Sequence, residues 1–194
     1  TNNGGSFGGI VYFDITVAHS VLITAFDMSY DPNNSPSGTA AGVQVYTTPT
    51  TYVGVEGSAA AWTQVASGSG SAAGVLNTPT NLPLSAPLLM PADNYGMALV
   101  ATGGAGHDYT TGSAITTYQD NFLTLTVGAA YNTPFGSTSP FSPRLWNGAI
   151  YYTPANGLFS SFSATPTSGP SPLLVQFTDT TFTSDPGGVT SWAW

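Results

Sequence analysis

Apolar residues in this chain recur at every second position, and Gly or Pro interrupts them before a helical period can build up. Val11, Phe13, Ile15 and Val17 share one face of a predicted first strand. Leu22, Thr24, Phe26 and Met28 share one face of a second, with Ala18-His19-Ser20 as the turn between them. A period of two matches the pleated strand, whose successive side chains point to opposite faces. Val43, Val45 and Thr47 mark a third strand closed by Thr48-Pro49. Trp62, Gln64 and Val65 lead into a Gly/Ser stretch at 67–74 that reads as a loop or edge. Residues 82–89 carry Pro83 and Pro87, which predicts an edge strand or an extended segment, because proline cannot donate to a ladder. Tyr95, Met97, Leu99 and Ala101 alternate with Gly96, Ala98 and Val100, and those small residues suit a buried central strand. Strands over 122–127 and 149–152 complete the set. With 23 Gly and 15 Pro between short strands, the expected class is all-β, a jelly-roll-like β-sandwich. That domain is expected to occupy 1–155. Pro154-Ala155-Asn156-Gly157 introduces a linker at 156–161.

Composition sets limits on partners. Only 5% of the 194 residues are charged, against about 25% in a typical soluble domain. There is no Lys, and Arg144 is the single Arg beside nine acidic residues, for a net charge of −8. Phosphate neutralisation needs Lys and Arg, so nucleic acid is not an expected partner. Anionic membrane surfaces fall to the same argument, and no apolar run approaches the ~20 residues of a spanning helix, so membrane insertion is not expected. The chain is still 41% apolar and 12% aromatic, enough to fold, and its surface must then be Thr, Ser, Asn and Gly. A surface nearly free of trypsin-type cleavage sites suits an extracellular or cell-surface location. The absence of Cys leaves no disulfide framework and no thiolate metal site.

Few residues could carry chemistry. His107-Asp108 with one of many Ser could be drawn as a triad, but neighbours on a strand point to opposite faces and no nucleophile elbow accompanies them. Asp14 and Asp27 read as a rim pair or as acceptors from turns rather than as glycosidase carboxylates. Catalysis is therefore not expected. No cofactor is expected either, although calcium is possible at Asp27, Asp31 and Asn33, where a loop after a strand offers hard oxygen ligands. The alternative there is an Asx turn at Asp31-Pro32-Asn33-Asn34. Carbohydrate binding would draw on Trp62, Tyr109, Tyr118 and Trp146 for stacking, and on His107, Asp108 and Asn147 for hydroxyl contacts. The alternative for these aromatics is burial in the core. Asn33-Asn34-Ser35 is an N-glycosylation sequon with Asn33 as acceptor. Asp185-Pro186-Gly187-Gly188 reads as a hairpin turn.

Two resemblances add context. Phe162-Ser163-Ala164-Thr165-Pro166-Thr167-Ser168-Gly169, then Pro172-Leu173-Leu174-Val175-Gln176-Phe177-Thr178-Asp179, then Ser191-Trp192-Ala193-Trp194 resemble the opening of a PKD module. That family is an Ig-like β-sandwich of secreted and cell-surface proteins, and the resemblance implies that 162–194 is the N-terminal part of such a domain, with Trp192 in its core. Its pattern continues beyond the second Trp with further strands, so the resemblance implies β-structure completed from elsewhere. The segments Asn3-Gly4-Gly5, Val11-Tyr12-Phe13-Asp14-Ile15, Val55-Glu56-Gly57, Ala61-Trp62, Tyr95-Gly96-Met97-Ala98-Leu99, Gly106-His107-Asp108-Tyr109-Thr110 and Phe141-Ser142-Pro143-Arg144-Leu145-Trp146-Asn147-Gly148 together resemble a β-sandwich module of large secreted bacterial proteins. No activity comes with that module.

The function expected from all this is a non-catalytic structural or adhesive module of an extracellular or cell-surface filamentous assembly. Its partner would be a second copy, through the β-edge of 162–194, or further domains of the same protein. The alternative is a carbohydrate-binding module of a longer secreted protein, with glycans as partners.

Overall fold

A computed structural model describes residues 2–184 and 188–192. The protein is all-β, and among the described residues the one helical element is a 3-10 turn at Ala59–Ala61. Two compact units divide the chain, Thr1–Pro154 and Ala155–Trp194.

The first unit holds twelve strands: β1 (Asn2–Phe7), β2 (Ile10–Val17), β3 (Val21–Met28), β4 (Ala40–Pro49), β5 (Thr63–Ser71), β6 (Thr80–Met90), β7 (Asp93–Thr102), β8 (Gly106–Thr111), β9 (Thr116–Gln119), β10 (Leu123–Tyr131), β11 (Arg144–Trp146) and β12 (Ile150–Pro154). Nine of them form one sheet in the order β12-β3-β6-β5-β4-β7-β2-β10-β9, and β1-β8-β11 form a second. The large sheet curls, so that a β-sandwich is made from one continuous ladder. The corner lies at β5 and β6, which are paired only through Gly68 and Leu84.

β2 and β7 behave as the alternation predicts. Val11, Phe13, Ile15 and Val17 of β2 and Met97, Leu99 and Ala101 of β7 all enter the main core. Both strands are central, with β2 paired to β7 and β10 and β7 paired to β4 and β2. Their opposite faces are covered too. Ile10, Tyr12, Ala98 and Val100 join Tyr52, Trp62 and Ala129 in a second apolar cluster beneath the loops.

Two expectations are corrected. On β3 the buried face is Val21, Ile23, Phe26 and Met28, while Leu22 is only half-buried and Thr24 is exposed. Consecutive residues Tyr152 and Tyr151 of β12 pair with Ile23 and Ala25, so Thr24 is a bulged, unpaired residue, and one extra residue reverses which parity faces inward. The stretch with Pro83 and Pro87 is not an edge. β6 pairs with β3 at both its ends but leaves it between Leu84 and Pro87, where Leu84 turns to β5 instead. The prolines sit at or beside a break in the ladder, where a missing N–H costs nothing. β2 and β3, adjacent in sequence, belong to well-separated positions of the curled sheet, so the turn at 18–20 crosses between layers rather than closing a hairpin.

The second unit holds β13 (Leu158–Phe159), β14 (Phe162–Thr165), β15 (Gln176–Asp179) and β16 (Phe182–Thr183). β13 pairs with β16 and β14 with β15, giving two two-stranded sheets. The stretch expected as a linker thus contributes a strand at Leu158–Phe159. Phe159 meets Phe182, and Phe162 meets Phe177. Yet Leu158, Phe162, Phe177 and Trp192 are largely exposed, and Leu174 is 91% exposed. Trp192, expected in a core, instead donates a 2.6 Å hydrogen bond to Asp179. The turn expected at Asp185-Pro186-Gly187 and the side chain of Trp194 lie outside the described residues.

Candidate functional site

Four of the expected sugar-contacting residues are interior. Trp62 is 7% exposed; its ring lies 5.7 Å from Tyr12 and 5.7 Å from Phe135, and its indole N–H donates to the Val55 carbonyl at 3.0 Å. His107, Asp108 and Tyr109 are buried on β8, the middle strand of the smaller sheet. Burial leaves Trp62, His107, Asp108 and Tyr109 without the exposed surface that the expected sugar contacts would use.

His107 is 1% exposed, and neither ring nitrogen reaches hydrogen-bond geometry with a partner. It fits because Gly9 has no side chain: a Cβ there would fall 2.1 Å from the imidazole Cε1. Burial pushes its pKa down to about 4, against a smaller opposing pull from the Ser6 carbonyl. The imidazole is therefore neutral at pH 7 and closed off from the surface. Tyr109 packs at 5.3 Å from this ring, and the Arg144 guanidinium lies 5.6 Å over Tyr109 and 5.6 Å over Phe141.

The calcium candidates are not brought together as ligands. The Asp31 carboxylate accepts from the Asn33 backbone N–H at 2.9 Å and from the side-chain amides of Asn33 and Asn34. This is the Asx turn. The Asp27 carboxylate accepts from the Asn81 amide at 2.8 Å and the Tyr151 hydroxyl at 2.9 Å. Carboxylates facing N–H and O–H donors present the wrong neighbours to a cation. Among the described residues no three His, Cys, Asp or Glu are grouped to hold a metal ion. Asn33 is exposed, as a glycan acceptor must be, but Ser35 of the same sequon is fully buried and its hydroxyl oxygen accepts from the Gly106 N–H at 3.0 Å.

What remains is a cleft where the two edges of the nine-stranded sheet meet. β9, β10 and their turn supply Tyr118, Gln119, Asp120, Leu123, Leu125 and Val127, while β11, β12 and their connection supply Trp146, Asn147, Gly148, Ala149, Ile150 and Tyr152 on the facing side, around a volume of about 470 Å³. The floor belongs to the core: Leu123, Leu125 and Val127 pair with Val17, Ile15 and Phe13 across β10 and β2. Trp146 stacks flat on Phe13, with centroids 5.3 Å apart and planes at 2°. Its indole N–H is buried without a hydrogen-bond partner. Asn147 accepts from the Thr110 hydroxyl at 2.9 Å.

Asp120 ties the seam. It accepts from the Tyr152 hydroxyl at 2.6 Å and from the Phe122 and Leu123 N–H groups at 2.8 Å each. The Tyr152 hydroxyl and the Leu123 amide hold its carboxyl below the usual carboxylate range. Partial burial, then the bond to Asp120, pushes the Tyr152 phenol up to about 12. Of this cleft, sequence reasoning picked out Tyr118, Trp146 and Asn147. It missed Gln119, Asp120 and Tyr152, whose only signal is the Asp120-Asn121 turn between two strands.

In comparison with known proteins, the chain matches no family model and no curated protein.

Proposed function

We propose that the chain is a non-catalytic structural or adhesive module of an extracellular or cell-surface filamentous assembly. The observation that carries this reading is the exposure of Leu158, Phe162, Leu174, Phe177 and Trp192 on a unit whose described strands pair as two-stranded sheets. A two-stranded sheet alone is marginal in water, and so many large apolar side chains on about forty residues call for a covering layer. An added strand from a second copy would supply it by β-augmentation and pair the open edges of β14 and β15. A head-to-tail contact of that kind does not close on itself and builds a fibre. The charge-poor, Lys-free composition and the buried His107 fit the same reading.

Sedimentation velocity over a rising concentration series tests it. The full chain is expected to form concentration-dependent oligomers that Phe162→Ser with Leu174→Ser abolishes. A full chain that stays monomeric throughout, with slowly exchanging amides over 162–179, would overturn the proposal.

A further inference from the structure

The seam cleft is unrelated to the exposed face of the second unit, since every residue lining it lies within Thr1–Pro154. Its chemistry narrows what can occupy it. An anion finds no cation there: Arg144, the chain's single basic side chain apart from His, is turned onto Tyr109 and Phe141. A metal ion finds one carboxylate whose oxygens already accept three hydrogen bonds. A wholly apolar ligand would strip water from Gln119, Asp120, Asn147 and Tyr152 without replacing its hydrogen bonds, which is costly. Clefts of several hundred Å³ with an apolar floor and a few placed polar groups are the usual form of a small-ligand site.

We propose that this cleft binds a neutral carbohydrate of one to two sugar rings, stacked on Tyr118 and Trp146 and hydrogen-bonded by Gln119 and Asp120. A sugar has an apolar C–H face and a hydroxyl rim, which matches aromatic side chains beside amide and carboxylate groups. A carboxylate offers about four acceptor positions. At Asp120 three are filled from within the fold, so one is left for a ligand hydroxyl. Tyr152, which donates to Asp120, keeps its oxygen lone pairs as acceptors. Tyr118 is 54% exposed at the rim, so it can close over a ring without disturbing the core.

The test is an NMR titration of the full isotope-labelled chain with cellobiose, diacetylchitobiose, lactose and sucrose at millimolar concentration. At least one is expected to give saturable shifts at the Trp146 indole and the Gln119 amide. Tyr118→Ala and Gln119→Ala, both at exposed positions, are each expected to weaken binding about five- to tenfold, and Trp62→Phe to leave it unchanged. Absence of saturable shifts with all four sugars overturns the proposal. So do shifts that persist at full affinity in both cleft variants while these remain folded by circular dichroism.

Discussion

Tyr152 donates a 2.6 Å hydrogen bond to Asp120, and through it the last strand of the first unit is tied to the turn at the opposite edge of the same sheet. Phe122 and Tyr152 add a ring contact at 5.9 Å across the same seam. A curled sheet needs some such fastening, because each edge otherwise presents unpaired backbone groups.

Removing the tie by Tyr152→Phe should lower stability by about 0.5–1 kcal/mol, the range for one hydrogen bond discounted for its exposure. The Asp120 carboxyl is held low in the folded state, so its contribution is present above the ordinary carboxylate pKa of about 4 and is lost as pH falls through its lower folded value. The wild-type protein should therefore lose more stability than Asp120→Asn when acidified below about pH 4. Urea midpoints at pH 5 and pH 3 check this, and equal losses in the two proteins would remove Asp120 from the account.

His107 gives a second, separate window. Its folded pKa is depressed to about 4 by burial, whereas the unfolded chain takes up the proton near 6.5. Stability from the neutral buried ring is thus complete above pH 6.5 and declines as pH falls toward 4, by about 1.4 kcal/mol per unit and on the order of 3 kcal/mol in all. His107→Leu should flatten the slope of stability against pH between 6.5 and 4 while leaving the Asp120 region below it. A slope that survives the substitution would mean another group carries it.

These elements also mark where the sequence stops being legible. Alternation located β2 and β7 correctly, because an unbulged strand keeps its period of two even where both faces are buried. It misjudged β3, because a single residue at Thr24, unpaired against β12, reverses inward and outward, and no local pattern announces a bulge. Tyr118, Trp146 and Asn147 could be chosen by residue type. That β9 and β12 face each other across a cleft depends on the curl of nine strands, a long-range outcome to which no short window is sensitive. The burial of His107 hinges on the absence of a side chain at Gly9, in the turn between β1 and β2, which is equally non-local.

Gly96 and Asp14 lie opposite each other on β7 and β2 and together hold down the loop that covers the second cluster. The Asp14 carboxylate accepts from the Thr51 hydroxyl and the Tyr52 N–H, both at 2.9 Å. At Gly96 a Cβ would fall 2.4 Å from the Tyr52 nitrogen and 2.6 Å from the Thr51 carbonyl carbon. Backbone cannot yield as a flexible side chain would. Gly96→Ala should cost about 1–3 kcal/mol, the range for overpacking, and lift the loop from Tyr12. Asp14→Ala should release the same loop, so the two substitutions should be less than additive. Thermal unfolding of the single and double variants, with Trp62 fluorescence as the local reporter, measures both effects; full additivity would mean the loop is not their common target.

The boundary after Pro154 makes the last prediction. β12 runs to Pro154, where it pairs with Val21, and Ile150 and Tyr152 pack against the main core. A chain cut after Pro154 keeps this edge strand, the Asp120 tie and both apolar clusters. It should unfold cooperatively with a midpoint close to that of the full chain. A chain cut after Gly148 loses β12, uncovers β3 and leaves Asp120 without Tyr152. Exposing Ile150 and Tyr152 neighbours such as Ile23 and Phe26 should cost several side chains' worth of burial, at about 1.5–3 kcal/mol each, which exceeds a large part of the 5–15 kcal/mol that typically stabilises a domain. The shorter chain should therefore show no cooperative melt by differential scanning calorimetry. A sharp transition in it would mean that β12 is dispensable and that the seam does not fasten the fold.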